Sequence, residues 1–492
     1  MTPRTAARAV SVLAALALVA GCGGSDGSGS GGSRDGGGER SGASRAPDVV
    51  PTESRAPDPG RGSGDPDDIN GDGHPDLLMQ VPVAWPASHG GVPRIAVVFG
   101  SPRGPDPTTR TLYTTDELGV PDPSAVGNTP PYPGMTADLD DDGFADFVTR
   151  TGEEVPERER RTGAPGNRVV EYVNWGGHTG PRRGAAPTRL RLPAPDAAAG
   201  FDDVVRGDFD GDGRHDLAGL RTSDTGLRSD EEAVVLLFGP FTRTGAAART
   251  ERRILPQPPY ASYSGIRADD IAPSGKPRTT GLFVHYGNDG EQSAGRYFAA
   301  RPGGGLAAAG RPVREGNGYA FGDFDGDGTR DLAVGDDGGR NDEPGADSEE
   351  PDVDNSYAVY PGDGGRVRTY RPREGTGGSY TAVDHDGDGR DALLLGGREG
   401  PALYEGDRPV GHLVRRPPAR VDGRRVPAGS GWLRVHFAAD FDGDGKDEVV
   451  LSWTSTKLSD TYGSVPTHWW ITHGVGPKDA AVFSTRKFAP PR

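Results

Sequence analysis

Between Gly322 and Gly339 the chain reads GDFDGDGTRDLAVGDDGG. Asp323, Asp325, Asp327 and Asp331 occupy relative positions 1, 3, 5 and 9, and Gly328 holds position 6. Carboxylates crowded this closely repel one another unless a cation sits among them. Alternate spacing turns the side chains of positions 1, 3 and 5 toward one point when the loop curls. The glycine permits the sharp turn, and position 9 closes the shell. Oxygen ligands without His or Cys suit Ca²⁺ far better than Zn²⁺. For a single copy, the competing reading is a solvated acidic turn.

The pattern occurs six times, and internal repetition decides architecture before any local feature does. The other sets are Asp68, Asn70, Asp72 and Asp76; Asp138, Asp140, Asp142 and Asp146; and Asp208, Asp210, Asp212 and Asp216. Two more follow: Asp384, Asp386 and Asp388; and Asp440, Asp442, Asp444 and Glu448. The loop starting at Asp384 has Ala392 at position 9, with Asp391 one place early. Either that loop is one residue shorter and Asp391 is the ligand, or position 9 is vacant. Aligning Ala392 with Asp331 keeps Gly396 on Gly335, which favours vacancy.

First positions fall at 68, 138, 208, 323, 384 and 440, so the steps are 70, 70, 115, 61 and 56 residues. The 115-residue step is nearly double, which predicts a hidden unit near Asp269. There SGIRADDIAPSGKPRTTGLFVHYG keeps the loop-then-apolar shape but has Ile271 and Pro273 at positions 3 and 5. This seventh unit is expected to keep the fold and lack the metal. Downstream of each loop comes an apolar run ending in a glycine turn, such as AVVFGSPRG, VVLLFGP, SYAVYPGDGG and HWWITHG. Short β-rich runs between Gly, Pro and Asp turns read as strands. Seven units large enough for four strands each predict an all-β, seven-bladed propeller of antiparallel blades.

The unit DxDxDGxxDLxVG followed by VxVFxG resembles the FG-GAP (VCBS) repeat of integrin α-subunit propellers and many bacterial surface proteins. The resemblance covers roughly Asp65 to the C-terminus. It implies calcium in up to six loops, with the metal loops on one face and ligands on the other. The opposite face would then include the long connections Arg150–Arg168 and Asp336–Asp354. An EF-hand fits less well, because helices flank its twelve-residue loop. The propeller fold hosts adhesins, lectins and lyases, so it does not fix function.

The N-terminus reads MTPRTAARAVSVLAALALVAGCGG. Arg4 and Arg8 precede a short apolar stretch and small residues, the pattern of a signal peptide over 1–21. Val19–Cys22 resembles a lipoprotein lipobox, and Cys22 is the sole cysteine. The expectation is a lipidated Cys22, a Gly/Ser-rich tether over 22–46 and a propeller over 47–492. That places the protein outside the cell, held at the outer face of its membrane. An ordinary secretory signal is the alternative. A G-x-S-x-G match at Gly23–Gly27 lacks the strand and helix of a nucleophile elbow.

The net charge of −17 becomes −19 without Arg4 and Arg8, and six Ca²⁺ ions would bring it to −7. Much of the acidity is thus site charge, and the sign argues against a nucleic-acid partner. Ten histidines are scattered, and His74, His215 and His385 lie inside loops. No catalytic constellation is evident, so no catalytic residue is assigned. Trp469 and Trp470 lie in a strand run, where packing outweighs sugar stacking as an expectation. Three function classes stay open. They are a binding or adhesion module for a protein or glycan, a polysaccharide lyase or related carbohydrate-active propeller enzyme, and a structural envelope protein.

Overall fold

The computed structural model describes residues 53–81, 94–121, 133–161, 166–194, 196–198, 200–222, 232–256, 262–287, 292–339, 353–373, 376–397, 400–421, 424–455 and 467–488. The signal peptide, Cys22 and the tether lie outside them, as do 340–352 of the acidic connection and 162–165 of the Arg150–Arg168 connection.

Among the described residues seven antiparallel blade sheets follow one another along the chain, with a two-stranded ribbon, Arg420–Val421 and Arg424–Arg425, between the sixth and the seventh. Blade two is built from Pro133–Ala137, Asp146–Glu154, Asn167–Asn174 and Thr188–Arg189. Blade three is Asp203–Gly207, Asp216–Arg221, Ala233–Phe238 and Arg249–Ile254, and blade four is Tyr263–Ala268, Leu282–Tyr286, Ser293–Phe298 and Arg311–Gly316. Blade five comprises Gly318–Gly322, Asp331–Gly335, Tyr357–Tyr360 and Arg368–Tyr370. Blade six comprises Thr376–Val383, Ala392–Gly397, Ala402–Glu405 and Arg408–His412, and blade seven Trp432–Ala439, Glu448–Thr454, His468–Thr472 and Asp479–Ser484. The hidden unit near Asp269 is blade four, as its spacing predicted. Among the described residues helix is confined to short turns such as Thr115–Leu118 and Glu157–Arg160.

The blades close into a ring through seven apolar clusters, each shared by two neighbours. Val383, Leu394 and Leu403 of blade six meet Val435, Leu451 and Trp470 of blade seven. Leu77, Met79 and Val98 of blade one meet Val450, Trp469 and Ile471 of blade seven. Period-two alternation sends successive side chains to opposite neighbours. Val148 faces blade three, whereas Phe147 faces blade one. Several third strands are buried on both faces: Ala233–Phe238, Tyr357–Tyr360 and His468–Thr472 are buried throughout. Trp469 and Trp470 are accordingly packing residues, at 5% and 0% exposure.

Blade one departs from the four-strand expectation. Among the described residues its sheet has three strands, Leu77–Val81, Arg94–Val98 and Arg110–Tyr113. The segment before its loop reads SGDPD (Ser63–Asp67), and Asp, Gly and Pro are poor strand formers. At the outer edge Arg55 forms a parallel bridge with Thr109. The C-terminus also reaches this blade, because Phe488 stacks on Phe483 and the Arg110 guanidinium lies 4.2 Å over the Phe488 ring.

Two connections differ from their reading as plain loops. Asp146–Glu154 and Asn167–Asn174 form a long hairpin tipped by the turn Glu157–Arg160. Asp336, at the start of the long connection Asp336–Asp354, is buried and accepts bonds from the backbone N–H groups of Gly338 and Asn355.

Candidate metal centres

Five of the six acidic loops join the end of an inner strand to the start of the next, and the loop of blade one leads directly into Leu77–Val81. Gly322 pairs with Asp331, Ala137 with Asp146, Gly207 with Asp216, Ala439 with Glu448 and Val383 with Ala392. Ala392 therefore occupies position 9 in register. Asp391 is at position 8, with its side chain committed to the neighbouring blade.

The loops curl because every position-6 glycine is left-handed: Gly73, Gly143, Gly213, Gly328, Gly389 and Gly445 have φ between +83° and +92°. L-side chains rarely adopt that conformation. Asp141, at position 4, is the non-glycine exception at +62°, a conformation aspartate tolerates better than most.

Each conserved-type position in the loop has a distinct role. Position 1 holds the loop's own backbone. Asp208 Oδ1 accepts from the N–H groups of Gly211 and Asp212, and Oδ2 from Gly213. Asp323 does the same with Gly326, Asp327 and Gly328. Position 5 caps position 7, as Asp327 does Thr329 at 2.7 Å. Position 9 staples the loop to the glycine turn after the third strand. Asp146 accepts from Leu139 and Gly176, Asp216 from Phe209 and Gly239, and Asp331 from Phe324 and Gly362.

Position 3 is different. Asn70, Asp140, Asp210 and Asp325 each have a buried Oδ1 with no hydrogen-bond partner. Leaving a buried acceptor unpaired costs about 1–3 kcal/mol, more for a charged group. In the loops starting at 138, 208 and 323, one oxygen from each of positions 1, 3 and 9 lies within 4.8 Å of the others. Four loops thus bury an unsatisfied position-3 oxygen, and in three of them the same residue belongs to a converging carboxylate cluster. A hard cation satisfies such a donor set. In blade six Asp384, Asp386 and Asp388 converge, without a position-9 carboxylate. In blade seven the converging set is Asp442, Asp444 and His473, so a histidine in the turn after the third strand joins a site. Sequence reading missed His473 because it lies outside the loop.

Burial dominates the electrostatics of these carboxylates. Burial, helped by neighbouring carboxylates, pushes Asp216 up to about 8 and Asp331 and Glu448 up to about 7. Burial raises Asp138 to about 6 and holds Asp76 and Asp146 well above the usual carboxylate range. Arginines supply positive charge at the outer sides. Arg243 contacts Asp140 and lies 2.7 Å from Asp142, and Arg249 lies 2.7 Å from Asp210. In blade four, whose loop lacks carboxylates at positions 3 and 5, two arginines meet the charge of Asp269. Arg278 Nη1 donates to Asp269 Oδ2 at 2.7 Å, and Arg330 Nε reaches Asp269 Oδ1 at 3.1 Å.

A second set of residues ties four of the loops to the next blade. The backbone N–H of Asp138 donates to His215 Nδ1 at 2.8 Å, while His215 Nε2 bonds the Gly64 carbonyl. That partnership fixes the tautomer, and burial lowers the imidazole to about 4, keeping it neutral. Thr280 Oγ1 accepts from Asp208, Asp391 Oδ2 from Asp323, and Asp447 Oδ2 from Asp384, at 2.7–3.0 Å. Sequence reading did not single out Thr280, Asp391 or Asp447 for this role, because each partner lies in another blade.

No known family's sequence profile matches the chain, and no curated protein matches it by sequence. Among solved structures it is similar to BBS1N, crystallised in complex with ARL6DN, at 11% identity and a TM-score of 0.39 over 81% of this chain and 91% of that one. It is also similar to an Agrocybe aegerita lectin that recognises non-reducing terminal N-acetylglucosamine, at 15% identity and a TM-score of 0.32 over 85% and 83%. A third is the V. cholerae biofilm matrix protein Bap1, at 10% identity and a TM-score of 0.25 over 86% and 83%. Likenesses this distant assign neither ligand nor activity to this chain.

Proposed function

We propose that this chain is a calcium-loaded propeller of FG-GAP type that acts as a binding or adhesion module for a protein or glycan. A lipidated Cys22 and a short tether would hold it at the outer face of the cell membrane. The observation that carries the calcium reading is the orphaned position-3 oxygen, buried in four loops, on residues that in three of them belong to converging carboxylate clusters. Calcium suits these sites because it takes six to eight oxygen ligands in flexible geometry. Asp68, Asn70, Asp72 and Asp76 would hold one ion, and the sets beginning at Asp138, Asp208, Asp323, Asp384 and Asp440 the others. The ions would neutralise buried carboxylates and stiffen one end of every blade but the fourth. The connections at the other ends would remain free to vary as a recognition surface.

Equilibrium dialysis against millimolar Ca²⁺ tests the metal reading, with a stoichiometry approaching six per chain expected and zero contradicting it. A glycan array and a turnover screen on uronic-acid polymers, run together, test the binding reading. Retention without turnover supports a binding module, and turnover contradicts it.

A further inference from the structure

The ties between blades are unequal around the ring, and their arrangement bears on how the loops communicate. Asp391 ends the loop of blade six. Its Oδ2 accepts the backbone N–H of Asp323 at 2.7 Å, and its own N–H donates to the Asp323 carbonyl at 2.8 Å. The pair forms a closed two-bond ring. Arg330 Nη1 sits 2.7 Å from the same carboxylate oxygen and neutralises it. Asp447 repeats the device one blade later, accepting from Asp384 N–H and donating to its carbonyl, both at 2.8 Å. Asp323 and Asp384 are position-1 residues, whose carboxylates organise their loops. The loops of blades five, six and seven are therefore joined in series. Position 8 in blades one and two is Pro75 and Ala145, which offer no side-chain acceptor.

Resting on the calcium reading above, we propose that Asp391 and Asp447 are positioning residues that couple neighbouring loops, so that loading one loop raises the affinity of the next. Ordering the loop at Asp323 fixes that residue's backbone, and the two-bond ring passes the restraint to Asp391 and the loop it terminates. A loop already held this way gives up less conformational freedom when it loads, which is a coupling free energy without a new ligand. Such a coupling is reciprocal. It supports the loop of blade six in particular, since Ala392 leaves that loop without its ninth carboxylate.

The test is a Ca²⁺ titration of the full chain followed by loop-resolved hydrogen exchange. Asp325→Ala removes a candidate ligand from the loop at 323 and leaves the clasp intact. It is expected to raise the Ca²⁺ midpoint of the loop at 384 roughly fivefold or more, the lower end of ordinary site coupling. In an Asp391→Ala background the same substitution should leave that midpoint where Asp391→Ala alone puts it. Asp391→Asn keeps an acceptor oxygen for the Asp323 N–H and should preserve the response. A midpoint at 384 that ignores Asp325→Ala overturns the coupling while leaving the calcium reading standing. Absence of any Ca²⁺-dependent protection in the wild-type loops overturns both.

Discussion

Arg278 Nη1 lies 2.7 Å from Asp269 Oδ2 in the one blade whose loop has lost positions 3 and 5. Asp269 is fully buried on its side-chain atoms, so its charge must be met from within. A guanidinium there does what a cation is proposed to do in the other six loops. Arg278→Ala should therefore destabilise the fold by about 1.5–3 kcal/mol, the worth of a hydrogen bond to a charged group. Urea denaturation with and without Ca²⁺ checks this. The loss should be the same in both, because no calcium is proposed in blade four.

Ala392 is the position-9 residue of blade six, and its third-strand register matches blade five, with Leu393 opposite Tyr404 as Leu332 is opposite Tyr360. Ala392→Asp places a carboxylate where Asp331 stands in the neighbouring blade. The loop at 384, expected to fill last in the wild-type chain, should then fill in the same range as the others. Loop-resolved titration reads the change directly.

The pH dependence follows from the raised carboxylates. Asp216, Asp331 and Glu448 have folded values of about 8, 7 and 7, above their ordinary 3.8, 3.8 and 4.5. A raised acid stabilises the fold fully below its unfolded value, and that contribution is lost as pH rises through the folded value. The metal-free protein should therefore melt higher at pH 5 than at pH 8. Calcium competes with those protons, so its affinity should rise over the same interval. Melting curves in chelator, paired with calorimetric titrations at each pH, check both signs.

Cys22→Ala should release the protein from washed membranes into the medium, since acyl chains contribute about 0.8 kcal/mol per buried CH₂ to anchoring. Fractionation followed by immunoblotting reads the outcome.

The ring was legible in the sequence because its signals are local. Six loops located six blades, and the 115-residue double step located blade four even though Ile271 and Pro273 had erased its ligands. The register of Ala392 was legible too, from the Gly396–Gly335 correspondence. What stayed hidden is held by contacts between blades. His215 meets Asp138 and Asp391 meets Asp323 across 77 and 68 residues of chain, and spacing within one loop carries no trace of the partner. His473 and Arg243 were hidden for the same reason, since each reaches an acidic loop from the turn after a third strand. Blade one shows the other kind of limit. Its loop is intact, so the repeat predicts a full blade, but Ser63–Asp67 is too rich in turn formers to supply the inner strand.

The central claim is that the acidic loops are cation sites on which the propeller depends. At ten times Kd one bound ion stabilises the fold by about 1.4 kcal/mol, so several sites together should move the melting temperature by many degrees. Differential scanning calorimetry of the full chain at pH 7.5, in millimolar Ca²⁺ and again in excess EDTA, measures this directly. The account predicts a clearly lower melting temperature in EDTA that returns when Ca²⁺ is restored. Identical melting in the two buffers would contradict it and leave the loops as acidic turns.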